Sequence, residues 1–176
     1  MDSSQEKQVK EWMGKIEKVR GGKVDLSKDE DLSIALMNLV SLEEHFYFTA
    51  MKTGDEKYLE MLKEVRELRT TLMKQIVVKP VGEEWCISKH LLASSMRLIE
   101  VGTKQLGKDD KKQAWFAFTK AFELYSLFFA INLKLIDSKK ISGGNAAGVA
   151  KAGEAFGISG KFSQVIKKIV DCCKEW

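Results

Sequence analysis

Residues 32–50, LSIALMNLVSLEEHFYFTA, decide the fold, because they carry a helical stripe of apolar side chains with a carboxylate set inside it. At about 100° per residue with Glu43 at zero, Leu32, Leu36, Leu39, Val40, Phe46, Tyr47 and Ala50 all fall within roughly 60° of it. That is the period of a buried helix face. An ionised carboxylate at its centre is too costly to keep without a partner. The neighbouring Glu44 falls on the flank and His45 about 160° round the helix, so the three do not face one site together.

Working outward, Ser27-Lys28-Asp29-Glu30 has the S-x-x-E form of a capping box, which starts this helix near residue 28. Thr53-Gly54-Asp55 ends it with a glycine and supplies an N-cap for the next helix, about 56–77. So short a connection makes the two antiparallel neighbours. The second helix shows Tyr58, Leu62, Val65, Leu68, Leu72 and Ile76 on one face, with Arg69 near the centre of that arc and Arg66 at its border. A hairpin turning at Gly54 sets Glu43 level with Arg66, and Arg69 lies one turn beyond, about 6 Å by helix rise. The expected partner of Glu43 is therefore Arg69 or Arg66.

The segment VVKPVGE breaks the pattern, because Pro80 disfavours helix at Lys79 and Gly82 frees the turn. A second hairpin follows. Its first helix, from 83 or 84 to 106, buries Trp85, Ile87, Leu91, Leu92, Met96, Leu98 and Ile99, with Cys86, His90 and Arg97 on the border. Gly107 and Asp109 or Asp110 repeat the cap-and-restart chemistry. The next helix, about 110–137, is apolar almost all round and should be the most buried, with Asn132 on its richest face. Within it Ala114, Phe118, Ala121 and Leu124 follow an A-x-x-x-F-x-x-A-x-x-L spacing that resembles the second helix of a tetratricopeptide unit. The resemblance covers that helix alone, since neither a preceding W-x-x-L-G pattern nor a 34-residue recurrence accompanies it. Small residues at this spacing let two helices approach closely.

Both ends add an amphipathic segment. Residues 4–19 place Val9, Trp12, Met13, Ile16 and Val19 opposite Lys7, Lys10, Glu11 and Lys18. Residues 138–160 are rich in glycine and alanine, as a tether would be, and residues 161–176 put Phe162, Ile166, Ile169, Val170 and Cys173 on one face. The fold expected is all-α: an up-down-up-down four-helix bundle of two helical hairpins (28–77 and 83–137) with amphipathic N- and C-terminal helices. The domain plan is 1–27 helix and linker, 28–137 bundle, 138–160 tether and 161–176 terminal helix.

Composition fits this plan. One proline, 44% hydrophobic and 31% charged residues favour a helical soluble domain, and 176 residues suffice for one core. The net charge of +4 comes from interspersed residues, so nucleic acid is not indicated as a partner. Three cysteines without CxxC spacing, no signal-like N-terminus and no uninterrupted apolar run of membrane-spanning length lead to the expectation of a soluble cytoplasmic protein with no membrane span.

No phosphate loop, nucleophile elbow, zincin or dinucleotide motif occurs, so no cofactor is called for and no enzymatic reading is favoured. Cys86 and His90, spaced i,i+4, could share a metal or form a thiol–imidazole pair, but no Glu-x-x-His precedes either histidine and no carboxylate is placed to orient the ring. Glu43, Arg69 and Asn132 form the polar set of the core, with Arg66 at its border as a further ligand-binding candidate. They either fix helix register or line an internal site for a small polar ligand. With apolar faces at both ends, protein association, with a partner protein or as a homo-oligomer, is the first functional expectation and the internal ligand or metal site the alternative.

Overall fold

A computed structural model of the chain describes residues 10, 11, 14 and 26–136. Among the described residues the chain is all-helical, with four continuous helices and no strand: α1 (Ser27–Thr53), α2 (Lys57–Ile76), α3 (Glu84–Leu106) and α4 (Lys111–Asn132). Lys10, Glu11 and Gly14 are helical as well. The expected tether and terminal helix at 138–176, and most of the N-terminal segment, lie outside the described residues.

The start of α1 differs from the capping-box expectation. Ser27 is already helical, and the Leu26 carbonyl accepts the first helical bond from the Glu30 N–H at 2.8 Å. Leu26 is buried in the core beside Leu36 and Met73. Burying a leucine contributes about 1.5–3 kcal/mol, against about 1 kcal/mol for a serine cap, so packing sets the first turn. At the other end Gly54 takes the left-handed conformation and donates to the Ala50 carbonyl, as a terminal glycine should. Asp55 then accepts from the Lys57 N–H at 3.0 Å and meets its ammonium at 2.7 Å. That bonding holds the Asp55 carboxyl below its ordinary range and the Lys57 ammonium above it.

The turn between α3 and α4 is closed by Asp109, not by the expected Gly107. Gly107 keeps helical angles, whereas Asp109 has φ +59° and the Asp110 N–H reaches the Gln105 carbonyl at 3.0 Å. This is a Schellman closure with aspartate at the left-handed position, which its short polar side chain tolerates. Asp110 then caps α4 by accepting from the Gln113 N–H at 3.0 Å. The same closure ends α4 five residues short of the expected 137. Lys134 sits at φ +56°, and the Leu135 N–H bonds to the Ala130 carbonyl at 2.9 Å. The Lys134 ammonium is held by the buried carboxylate of Glu84, which also accepts from the Val81 N–H at 2.8 Å. Helix α4 is thus stopped by a cross-hairpin ion pair, not by a glycine.

Consecutive helices pack as pairs, α1 with α2 and α3 with α4, and α1 crosses onto α3. In the second pair the contacts run in opposite order, Ser88 to Asn132 and Ser95 to the Ala121 carbonyl. Close approach there follows from Ser88, Ser95 and Gly102, buried at seven-residue spacing on α3 and facing the buried Ala114, Ala117 and Ala121 side of α4. The core centres on Phe128, Phe129, Ala130 and Ile131, together with Leu36, Met73 and Leu92. The C-terminal half of α4 is buried continuously from Tyr125, as its sequence leads one to expect, but its first turns are not: Trp115 is 75% exposed. Helix α4 is long and apolar enough to cross a membrane by length and composition, yet 56% of its most apolar window is buried against other helices.

Candidate functional site

Glu43 and Arg69 meet. Arg69, on the buried side of α2, donates from Nε to Glu43 Oε1 at 2.5 Å, and its Nη1 lies 4.0 Å from the Met73 sulfur. The Arg69 side chain is 4% exposed and that of Glu43 15%. The asymmetry has a structural cause. Arg69 is closed in between the hairpin helices, whereas Glu43 also borders a cleft of about 630 Å³ between α1 and α3. Ser41, Glu44, Lys89, His90 and Arg97 share that lining, and Glu44 pairs with Arg97 across it. The carboxylate at the centre of residues 32–50 therefore does both things a buried acid can do. It neutralises a buried guanidinium, and it presents one edge to a polar cleft.

The other residues singled out from the sequence are dispersed. Arg66 is exposed on α2. Asn132 does not join Glu43 and Arg69, which corrects the expected three-residue internal site. It ends α4 and donates to Ser88 Oγ at 3.0 Å and to the Phe128 carbonyl at 2.8 Å, so its amide ties α4 to α3. Cys86 is an exposed free thiol, and His90 is exposed and borders the cleft. Among the described residues no group of three or more His, Cys, Asp or Glu side chains comes together as a metal-binding set.

Several buried polar groups were missed by reading the sequence, Glu84, Ser88 and Ser95 among them, and one joins two helices through a phenol. Ser33, fully buried, donates to the Glu30 carbonyl at 2.6 Å and lies 2.7 Å from the Tyr125 hydroxyl. A serine has one proton to give, so with that proton on the carbonyl the phenol must be the donor to Ser33. Burial pushes the Tyr125 phenol up to about 12, with Glu30 and Asp31 adding to the effect. A serine on an otherwise apolar arc was the available signal. Among the described residues every buried side-chain nitrogen and oxygen has a partner.

A second concavity is apolar. About 270 Å³ in volume, it lies where α1, α3 and α4 meet and is lined by Ile34, Met37, Ile99, Phe118, Phe122 and Tyr125, with Ser95 also at its wall. The Ser95 hydroxyl is already given to the Ala121 carbonyl at 2.8 Å. This groove offers shape and apolar surface.

Comparison with protein-family models, with curated proteins and with solved structures gives no match.

Proposed function

We propose that the chain is a non-enzymatic helical-bundle protein that acts through protein association, with its two hairpins arranged up-down-up-down and a second copy of itself as the simplest partner. One observation carries this reading. On α1, Val40, Ser41 and Glu44 face the cleft toward α3, and the residues one heptad further on, Tyr47, Phe48 and Met51, are 48%, 51% and 59% exposed. A helix face used for packing at one level is thus left apolar and open at the next. Two aromatic rings and a methionine are the side chains that dominate helix-in-groove contacts. Light scattering on the full chain tests the reading. The expected mass is above the 19.9 kDa of one chain and falls to that value in Phe48→Glu/Met51→Glu. A single-chain mass for the unaltered protein across the micromolar range overturns self-association.

A second reading rests on the polar cleft. Glu43, Glu44, Lys89, His90 and Arg97 bring both charge signs to one opening, which suits a small zwitterionic or anionic molecule. A bound ligand would raise the thermal midpoint, by linkage of binding to folding. Silence across a broad library of polar metabolites would dismiss it.

A further inference from the structure

The groove at the junction of α1, α3 and α4 has apolar walls that remain open. Met37 and Tyr125 are buried at its base, while Ile34 and Ile99 stand 46% and 38% exposed at its rim. Its polar atoms are committed, Ser95 to Ala121 and Tyr125 to Ser33, so a polar ligand would find no anchor. The occupant such a surface suits is an apolar helix face.

We propose that residues 4–19 of the same chain fill this groove as an amphipathic helix, with Trp12, Met13 and Ile16 turned into it. Reach is the first argument. The described chain resumes at Leu26, which is buried, and the groove begins eight residues on at Ile34, about 12 Å by helix rise. The six residues 20–25 span up to roughly 20 Å when extended. A linker that is just long enough keeps the segment at a high effective concentration beside the groove. Residues 161–176 are the competing apolar segment of this chain. Residues 137–160, about four times as many as 20–25, connect them to the described chain, and a longer connection costs more entropy to close.

Orientation is the second argument. Lys10, Glu11 and Gly14 are helical, and all three lie on the side of that helix opposite Trp12, Met13 and Ile16. Lys10 and Glu11 are exposed, and a Cβ placed on Gly14 would meet nothing within 4 Å. The exposed Lys10 and Glu11 and the half-buried Gly14 are the polar and small positions of this stretch, and the sequence pattern puts its apolar positions on the other side. A docked stripe would cover Ile34, Ile99 and Phe118, each buried apolar ångström squared contributing about 25 cal/mol.

Disulfide trapping in the full-length chain tests this. With Cys86, Cys172 and Cys173 replaced by serine, a Trp12→Cys/Ile34→Cys chain is oxidised with copper-phenanthroline and followed by intact mass and non-reducing electrophoresis. The expected result is an intramolecular disulfide, independent of protein concentration and formed at least about tenfold faster than in a Trp12→Cys/Glu64→Cys control on the exposed side of α2. Equal rates overturn the proposal, as does a disulfide between two chains. So does faster trapping of Ile166→Cys than of Trp12→Cys against Ile34→Cys, which would assign the groove to the C-terminal segment. If loss of Trp12 unfolds the chain, the Ile16→Cys/Ile99→Cys pair asks the same question with the indole in place, judged by the same rates.

Discussion

The Glu43–Arg69 pair joins two side chains of very different exposure, and that difference decides how substitutions should behave. Removing Glu43 strands a guanidinium that is 4% exposed, so Glu43→Ala should destabilise by about 3 kcal/mol, the low end for a buried pair because the cleft admits water to the carboxylate side. Replacing both groups by apolar ones of similar volume, Glu43→Leu with Arg69→Met, should recover most of that loss, since two desolvation costs vanish together. Urea unfolding of the two single variants and the double one measures it, and additive losses would show that the pair is not coupled. Tyr125 yields a pH prediction. Its phenol titrates near 10 when unfolded and near 12 in the folded chain, so between these values the unfolded state binds fewer protons. Stability that is complete below pH 10 should therefore fall by roughly 2–3 kcal/mol as pH rises to 12. Tyr125→Phe should flatten that part of the pH profile relative to the unaltered chain, and parallel profiles would count against it.

At the scale of elements, what ends a helix matters more than what fills it. Where a glycine does the ending, as Gly54 does for α1, the boundary was legible in the sequence to within a residue or two. Where a non-glycine residue adopts the left-handed conformation it was not, because the support for Lys134 is Glu84, fifty positions earlier, and no local pattern records that. The partner of Glu43 was legible for the opposite reason, since the Gly54 turn and the helical rise fix which arginines stand across from it. Asn132 was misplaced because helical angle tells which face a residue shares, not which helix covers that face. The α3–α4 seam carries its own test. A Cβ added at Gly102 would lie 2.4 Å from a ring carbon of Phe118, which must then swing into the apolar groove. The gain in helix propensity is about 1 kcal/mol, and overpacking costs about 1–3 kcal/mol, so Gly102→Ala should leave stability unchanged at best and more often lower it by 1–2 kcal/mol. A clear rise in thermal midpoint would mean that the ring moves freely.

For the whole molecule, the faces of each helix could be read from periodicity, but the neighbours of each face could not. The structure resolves this into unequal halves. Helices α3 and α4 pair along a seam of small residues and carry most of the buried aromatic core, whereas α2 packs along α1 and approaches the other helices only weakly. Its buried residues, Arg69, Met73 and Ile76, all fall in its last turns, and Leu68, expected on its inner face, is exposed. Burial so distributed predicts unequal local stability, because a segment opens at the cost of the contacts it loses. Among the four described helices, amide hydrogen exchange should find the least protection over residues 57–67 of α2 and the greatest over Tyr125 to Ile131 of α4. Association through Tyr47, Phe48 and Met51 would act on the neighbouring end of the α1–α2 hairpin, beside the Gly54 turn. Protection over residues 57–67 should therefore rise with protein concentration, and protection that is uniform along α2 and independent of concentration would contradict both the packing argument and the self-association it supports.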